Sequence, residues 1–202
     1  MNEKTDSGSN GPSSITHEEI GNLPLKAYSG KVELIRNAQD LPSVMAEIRR
    51  HEVVGFDTET RPSFRKGQLY KVSLLQLAVP NYVFLIRLQH TGITPELVSF
   101  LESGDILKTG VGIRDDLHAL HRLKPFVPAG FVDLVPLARE AGLKVESVKK
   151  LTGLVLGFRI SKSAQTSNWE ARNLTQKQIE YAATDAWVCL ELYYKLTAGR
   201  NQ

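Results

Sequence analysis

The chain has 202 residues, of which 42% are hydrophobic and 23% are charged, and its formal net charge is +3. This size and balance indicate one compact globular domain with a short appendage. The mild positive charge permits a polyanionic partner without requiring one.

Cysteine content and hydropathy exclude further classes of protein. The single cysteine, Cys189, excludes an intramolecular disulfide framework and a cysteine-rich zinc site. No stretch approaches the roughly 20 consecutive apolar residues of a membrane span, and the N-terminus lacks the apolar run of a signal peptide. We therefore expect a soluble protein without a membrane role, in a reduced, cytoplasmic environment.

Three segments follow one another along the chain. Residues 1–14 combine Ser, Gly, Asn and Pro without apolar periodicity, so we expect a disordered tail. Residues 15–29 form a lead-in segment, in which Thr16 and Glu19 have the spacing of a helix capping box. Residues 30–202 form the main domain.

Strand patterns dominate the first half of the domain. Short apolar runs at residues 32–35 and 53–56 flank a stretch with helical spacing, which predicts strand, helix, strand. Residues 72–78 and 82–86 flank Pro80-Asn81, a turn signal that predicts an antiparallel hairpin.

Strand and helix patterns alternate in the second half. We predict a helix over residues 94–101, a strand over 106–110 and a helix over 113–123, followed by two or three further helices. The last helix opens at Thr175, which forms a capping-box pattern with Gln178. The order of elements predicts an α/β domain built on a mixed sheet with helices on both faces.

Two carboxylates end the second strand. Asp57 and Glu59 are two residues apart, so the alternation of a strand points both side chains to one face, where they can bind one cation. An isolated pair of this kind more often marks an exposed strand end. Other acidic positions must therefore decide between the two interpretations.

Further candidates lie on the predicted helices. The helical phase turns Asp116 towards the sheet and Asp115 towards water. Tyr181 and Asp185 are four residues apart on the last helix, so their side chains share one face. Taken alone, such a pair is more often an amphipathic boundary than a catalytic pair.

Several motifs occur together in a fixed order. They are FDTE at residues 56–59, GVGIRDD at 110–116 and YAATD at 181–185, with KVSLLQL at 71–77 and SNW at 167–169 as supporting segments. In this order they resemble the motifs of DEDDy-type 3′-5′ exonucleases of the RNase D and Werner-exonuclease group. The resemblance covers nearly everything from about residue 30 to 197.

The resemblance implies a fold and a set of site residues. The fold is a ribonuclease H-like mixed sheet, an antiparallel hairpin plus parallel strands, flanked by helices on both faces. The implied metal-binding carboxylates are Asp57, Glu59, Asp116 and Asp185, with Tyr181 as a further catalytic residue. A local distortion at the start of the helix would put Asp115 in the place of Asp116.

The implied activity is hydrolysis of the terminal phosphodiester of a nucleic acid. Carboxylate ligands favour two divalent cations, Mg²⁺ or Mn²⁺. We expect a single-stranded or recessed 3′ end as substrate and nucleoside 5′-monophosphates as products. DNA is slightly favoured over RNA, because the second strand and residues 110–113 look Werner-like. The alternative is a catalytically silent nucleic-acid-binding or scaffold module with the same fold.

Basic residues near these motifs are candidates for substrate binding. Arg61, Arg65 and Lys66 follow the acidic strand in a loop where they could meet the phosphate backbone, although an ordinary solvated loop is equally consistent with the pattern. Lys162 could lie on the other wall of the groove. Trp169 suits the core better than a stacking platform.

Overall fold

A computed structural model describes residues 12–65, 67–145 and 147–198. The strands are β1 (Lys31–Ile35), β2 (Val53–Thr60), β3 (Val72–Val79), β4 (Tyr82–Ile86), β5 (Leu107–Gly110) and β6 (Phe131–Asp133). The α-helices are α1 (His17–Asn22), α2 (Leu41–Ile48), α3 (Leu88–Thr91), α4 (Pro95–Leu101), α5 (Arg114–Leu123), α6 (Leu134–Glu140), α7 (Val148–Leu151) and α8 (Gln176–Thr197). A 3-10 turn (Ala38–Asp40) precedes α2, and a π-helical turn (Thr152–Leu156) follows α7.

The strands form one mixed sheet in the order β1-β4-β3-β2-β5-β6. Strand β3 pairs antiparallel with β2 and β4, whereas the other pairings are parallel. The parallel strands therefore all end at one edge of the sheet, which we call the carboxyl edge. The predicted mixed α/β sheet is confirmed, including the hairpin of β3 and β4.

The hairpin turn needs a residue that tolerates the left-handed conformation. Asn81 has φ of 63°, and Asn is among the few residue types other than Gly that adopt this region readily. All eight residues of β3 are buried, because β3 lies inside the sheet. The amphipathic alternation of an edge strand is consequently absent from β3.

The two faces of the sheet pack against different helices. Val54 and Phe56 of β2 belong to the core that includes residues of α2, α4 and α5. Gly55 faces α8, where an added Cβ would lie 2.1 Å from the carbonyl oxygen of Ala186. The backbone of α8 thus packs directly on β2, which explains why glycine is required there. This close approach brings α8 next to the acidic end of β2.

The lead-in segment packs on the domain. Thr16 and Glu19 form the predicted capping box of α1, and Ile20 is fully buried. Leu25 forms a parallel bridge with Arg159. Residues 1–11 of the predicted tail lie outside the described residues.

Strand β6 lies at the edge of the sheet beside β5. It has only three residues, all half-buried, and was not predicted from the sequence. Within the described ranges, no helix combines the length and apolar character needed to cross a membrane.

Candidate active site

Three carboxylates meet on the sheet face that α8 covers. Asp57 and Glu59 lie near the end of β2, on the same face as Gly55, and Asp185 lies on α8. One oxygen from each of the three lies within 4.8 Å of the others. Glu59 and Asp185 are buried, with 8% and 4% of their surface exposed, and Asp57 is half-buried. The strand alternation and the position of α8 together create this cluster.

Asp116 approaches the cluster from the other face of the sheet. It lies in the first turn of α5, and its carboxylate accepts a hydrogen bond from the hydroxyl of Thr58, between Asp57 and Glu59 on β2. The side chain of Asp115 is 87% exposed and lies 3.7 Å from Arg114. The structure therefore places Asp116, and not Asp115, beside the acidic strand. Thr58 was not anticipated, because its side chain points away from its two acidic neighbours.

Burial dominates the electrostatics of the cluster. Burial, and then the charge of Asp57, raises the pKa of Glu59 to about 10. Burial also raises the pKa of Asp57 well above its ordinary value, with Asp185 and Asp116 adding repulsion. The cluster accordingly favours protons or cations over bare negative charge.

The other two carboxyl groups are shifted less. Burial raises the pKa of Asp185 to about 7, against the opposing effects of the Tyr181 hydroxyl and the charge of Lys162. Burial raises the pKa of Asp116 to about 6, although the hydrogen bond from Thr58 lowers it. At neutral pH these two groups carry much of the negative charge of the cluster.

Tyr181 lies one helical turn before Asp185 and is directed at the cluster. Burial, followed by the charges of Asp185 and Glu59, raises the pKa of Tyr181, and the nearby Tyr181 hydroxyl lowers the pKa of Asp185. Its ring centre lies 6.0 Å from that of Trp169, which is fully buried. Trp169 is therefore a core residue that packs against Tyr181, as its sequence pattern favoured, and not a stacking platform.

The predicted basic residues occupy different positions around the site. Arg61 forms an ion pair with Glu170 at 3.3 Å and lies 4.9 Å from the ring of Tyr70. Arg65 and Lys162 are exposed, and the charge of Lys162 reaches Asp185. Lys66 lies outside the described residues. Glu170 was not predicted, because nothing in its spacing marks it as the partner of an arginine far away in sequence.

The donor set of the cluster suits a hard divalent cation. Carboxylate oxygens are the ligands that Mg²⁺ and Mn²⁺ prefer. Asp185 Oδ1 is buried and has no hydrogen-bond partner among the described residues. Nor does any salt bridge in the described part of the chain involve Asp57, Glu59, Asp116 or Asp185. A buried carboxylate oxygen without a protein partner fits a site for a divalent cation.

Comparison with known proteins agrees with this chemistry. The family model described as 3′-5′ exonuclease matches residues 32–199. The bifunctional 3′-5′ exonuclease/ATP-dependent helicase WRN of Mus musculus is 34% identical over 186 residues, covering 87% of this chain and 13% of that protein. A 3′-5′ exonuclease of Arabidopsis thaliana is 32% identical over 189 residues, covering 85% of this chain and 65% of that protein. This chain therefore spans less than two thirds of the length of either relative.

A solved structure provides the same comparison for the fold. The EXO domain of Aedes aegypti Nibbler has a TM-score of 0.75 and 25% identity, covering 86% of this chain and 91% of that chain. This likeness extends over the mixed sheet and its helices, so the predicted ribonuclease H-like fold is confirmed.

Proposed function

Because this chain belongs to the 3′-5′ exonuclease family, we propose that it removes nucleotides one at a time from the 3′ end of DNA, with RNA as the alternative substrate. The products would be nucleoside 5′-monophosphates. The observation that carries the proposal is the convergence of Asp57, Glu59 and Asp185 within 4.8 Å at the carboxyl edge. Ligands of α/β sheets commonly bind at this edge.

The carboxylates would hold two divalent cations, Mg²⁺ or Mn²⁺. Asp57, Glu59 and Asp185 form the central set, and Asp116 adds a carboxylate from α5. When bound, two such cations activate a water molecule, neutralise charge on the phosphate and stabilise the departing 3′ oxygen. Their charge also offsets the cost of burying carboxylates close together, since burial, and then repulsion by neighbouring carboxylates, raises the pKa values of Glu59 and Asp57.

Tyr181 would orient the attacking water. The raised pKa of its phenol means that the hydroxyl keeps its proton at neutral pH, so it acts through hydrogen bonding and not as a strong base. The contact of its ring with Trp169 and its position one helical turn before Asp185 hold the hydroxyl at the edge of the cluster. A hydroxyl held in this way needs little reorganisation during the reaction.

The substrate strand would pass between the loop after β2 and the segment before α8. Arg65 and Lys162 are exposed on these two walls and can meet phosphate oxygens. Arg61 joins the walls through Glu170. The Werner-like second strand favours DNA, and discrimination against RNA would require contacts at the 2′-hydroxyl. We also propose that the protein is located in the cytoplasm.

The test uses 5′-labelled single-stranded DNA and RNA, incubated with Mg²⁺, Mn²⁺ or a chelator. The wild-type protein should produce a ladder that shortens from the 3′ end only when metal is present. The Asp57→Ala/Asp185→Ala variant should produce none. Binding of both polymers without any cleavage would favour the silent nucleic-acid-binding module, and faster cleavage of RNA would overturn the choice of DNA.

A further inference from the structure

Gln76 is a buried amide without a hydrogen-bond partner. It lies in the middle of β3 and is fully buried. Neither its Nε2 nor its Oε1 has a partner among the residues that the structure describes. Leaving a buried polar group unpaired destabilises the folded protein. An apolar residue at this position would avoid that cost, so packing alone does not explain the glutamine.

The neighbours of Gln76 suggest what the amide is for. Its partner on β2 is Asp57, and its partner on β4 is Leu85. Leu74 and Ala78 lie two positions away on the same strand and therefore share its face. Of these four neighbours on the sheet, only Asp57 is polar.

The part of α8 that packs over this face of β3 is mainly apolar. Ala182, Ala183 and Ala186 of α8 pack in one cluster with Leu74, Ala78 and Leu85, and Tyr181 is the polar member that α8 adds to this cluster. Side chains directly opposite each other on antiparallel strands have Cβ atoms about 5 Å apart. The amide of Gln76 is consequently within reach of the Asp57 carboxylate, directly or through one water molecule.

We propose that Gln76 is a positioning residue for Asp57: when a cation is bound, the Asp57 carboxylate accepts a hydrogen bond from the Gln76 amide, which holds it in the orientation of a ligand. The inference rests on the proposed function, because it takes Asp57 as a metal ligand. Gln76 itself does not contact the cation. Hydrogen bonds from such supporting groups fix the orientation of a ligand and raise the affinity of a metal site.

The test is Gln76→Met, which removes the amide and keeps a similar side-chain length. Mn²⁺ binding is measured by isothermal titration calorimetry, and thermal unfolding is followed in chelator and in Mn²⁺. We expect the variant to lose about 10- to 100-fold in Mn²⁺ affinity. Its Tm in chelator should not fall, because a buried unpaired amide has been removed. Replacing a residue with a purely structural role would not lower Mn²⁺ affinity while leaving the Tm in chelator undiminished.

Thr109→Val is the matched control. Thr109 Oγ1 is also buried and has no partner among the described residues, and Thr109 pairs with Gly55 and Val132, neither of which carries a carboxylate. Its replacement should leave Mn²⁺ affinity unchanged and should not lower the Tm in chelator. An equal loss of affinity in both variants would overturn the specific assignment to Gln76.

The remaining outcomes separate the inference from the proposed function. If the wild type binds Mn²⁺ and Gln76→Met binds it equally well, the inference alone fails. If neither the wild type nor the variant binds Mn²⁺, the proposed metal-dependent function fails, and the inference fails with it. Gln76→Leu is the second apolar variant. If both apolar variants unfold in chelator, the amide is needed for folding and the inference is overturned.

Discussion

Charged side chains are buried in two regions of the sheet, and the two regions differ in the partners that surround these side chains. The ammonium of Lys108, on the face towards α4, donates hydrogen bonds to the carbonyl oxygens of Phe100 and Ser103, at 3.2 and 2.5 Å. The rings of Phe100 and Phe131 lie 5.2 and 4.9 Å away. On the other face, Glu59 and Asp185 are as deeply buried, yet neither forms a salt bridge in the described part of the chain.

This difference distinguishes a buried charge that has partners within the fold from one that indicates a bound ligand. The surroundings of Lys108 supply acceptors and aromatic faces that compensate part of its burial, which still lowers the pKa of its ammonium to about 8. The carboxylates instead lie among other carboxylates, and burial, followed by this repulsion, raises the pKa values of Asp57 and Glu59. A buried charge that the fold leaves uncompensated indicates a ligand from outside the chain.

The largest expected effect comes from removing one metal ligand of the cluster. Glu59→Gln should lower turnover roughly 1000-fold, because a metal ligand is lost. Its Tm in chelator at neutral pH should stay close to that of the wild type, because the raised pKa of Glu59 leaves this carboxyl uncharged when no cation is bound. Single-turnover cleavage of a labelled strand and thermal unfolding in chelator test the two parts. A variant that keeps wild-type turnover would show that Glu59 is not a ligand.

The next effect concerns the hydroxyl beside the cluster. Tyr181→Phe should lower turnover about 100-fold at saturating substrate, because the water loses its orienting hydrogen bond. Substrate affinity should stay close to that of the wild type. Tyr194→Phe, on the exposed side of the same helix, is the control. Near wild-type turnover for Tyr181→Phe would reduce Tyr181 to a packing residue.

The third prediction concerns stability and pH. The pKa of Asp185 in the folded protein is about 7, above the value of about 4 expected in the unfolded chain. Between these values the folded state binds more protons, so the free energy of unfolding in chelator should fall as pH rises through this window. Urea unfolding at several pH values measures the decline.

Two controls sharpen the pH experiment. Saturating Mn²⁺ should reduce the decline, because cations replace protons as the compensating charge. The Asp57→Ala/Asp185→Ala variant should show a smaller decline than the wild type, because two of the shifted groups are absent. A decline of equal size in that variant would place its origin outside the cluster.

The smallest effect on turnover is expected on the other face of the sheet. Lys108→Met should destabilise the protein by about 1–3 kcal/mol, because the carbonyls of Phe100 and Ser103 lose a buried donor. Turnover by the folded fraction should not change, since Lys108 does not contact the cluster. Urea unfolding and an activity assay below the transition measure both quantities. A loss of turnover without loss of stability would contradict the assignment of Lys108 to the stability of the fold.

Local patterns predicted those features that depend on one element alone. The alternation of β2 placed Asp57 and Glu59 on one face, and the helical phase selected Asp116 over Asp115, as the structure has it. Strand β6 was not predicted, because a segment of three half-buried residues shows no alternation of buried and exposed positions. The catalytic and metal-binding assignments themselves stay predictions until the variants are measured.

Other features depend on contacts that no local pattern encodes. Lys108 lies inside a predicted strand, and no sequence pattern indicated that its ammonium would be buried against two carbonyl oxygens. Gln76 appeared only as part of a supporting motif, and its unpaired amide became visible with the burial of β3. Both residues owe their environment to elements that pack over them from elsewhere in the chain.

Periodicity and residue spacing predicted the type and approximate bounds of the main elements and the acidic residues that share their faces. Periodicity suffices for this, because it depends only on backbone geometry within one segment. The tertiary structure decided which faces meet. The pair Arg61 and Glu170, 109 positions apart, and the approach of α8 to Gly55 follow from strand order and helix packing. Such contacts join segments that are far apart in the sequence, and periodicity within one segment says nothing about them. Only the assembled sheet therefore brings the carboxylates of β2 and α8 together.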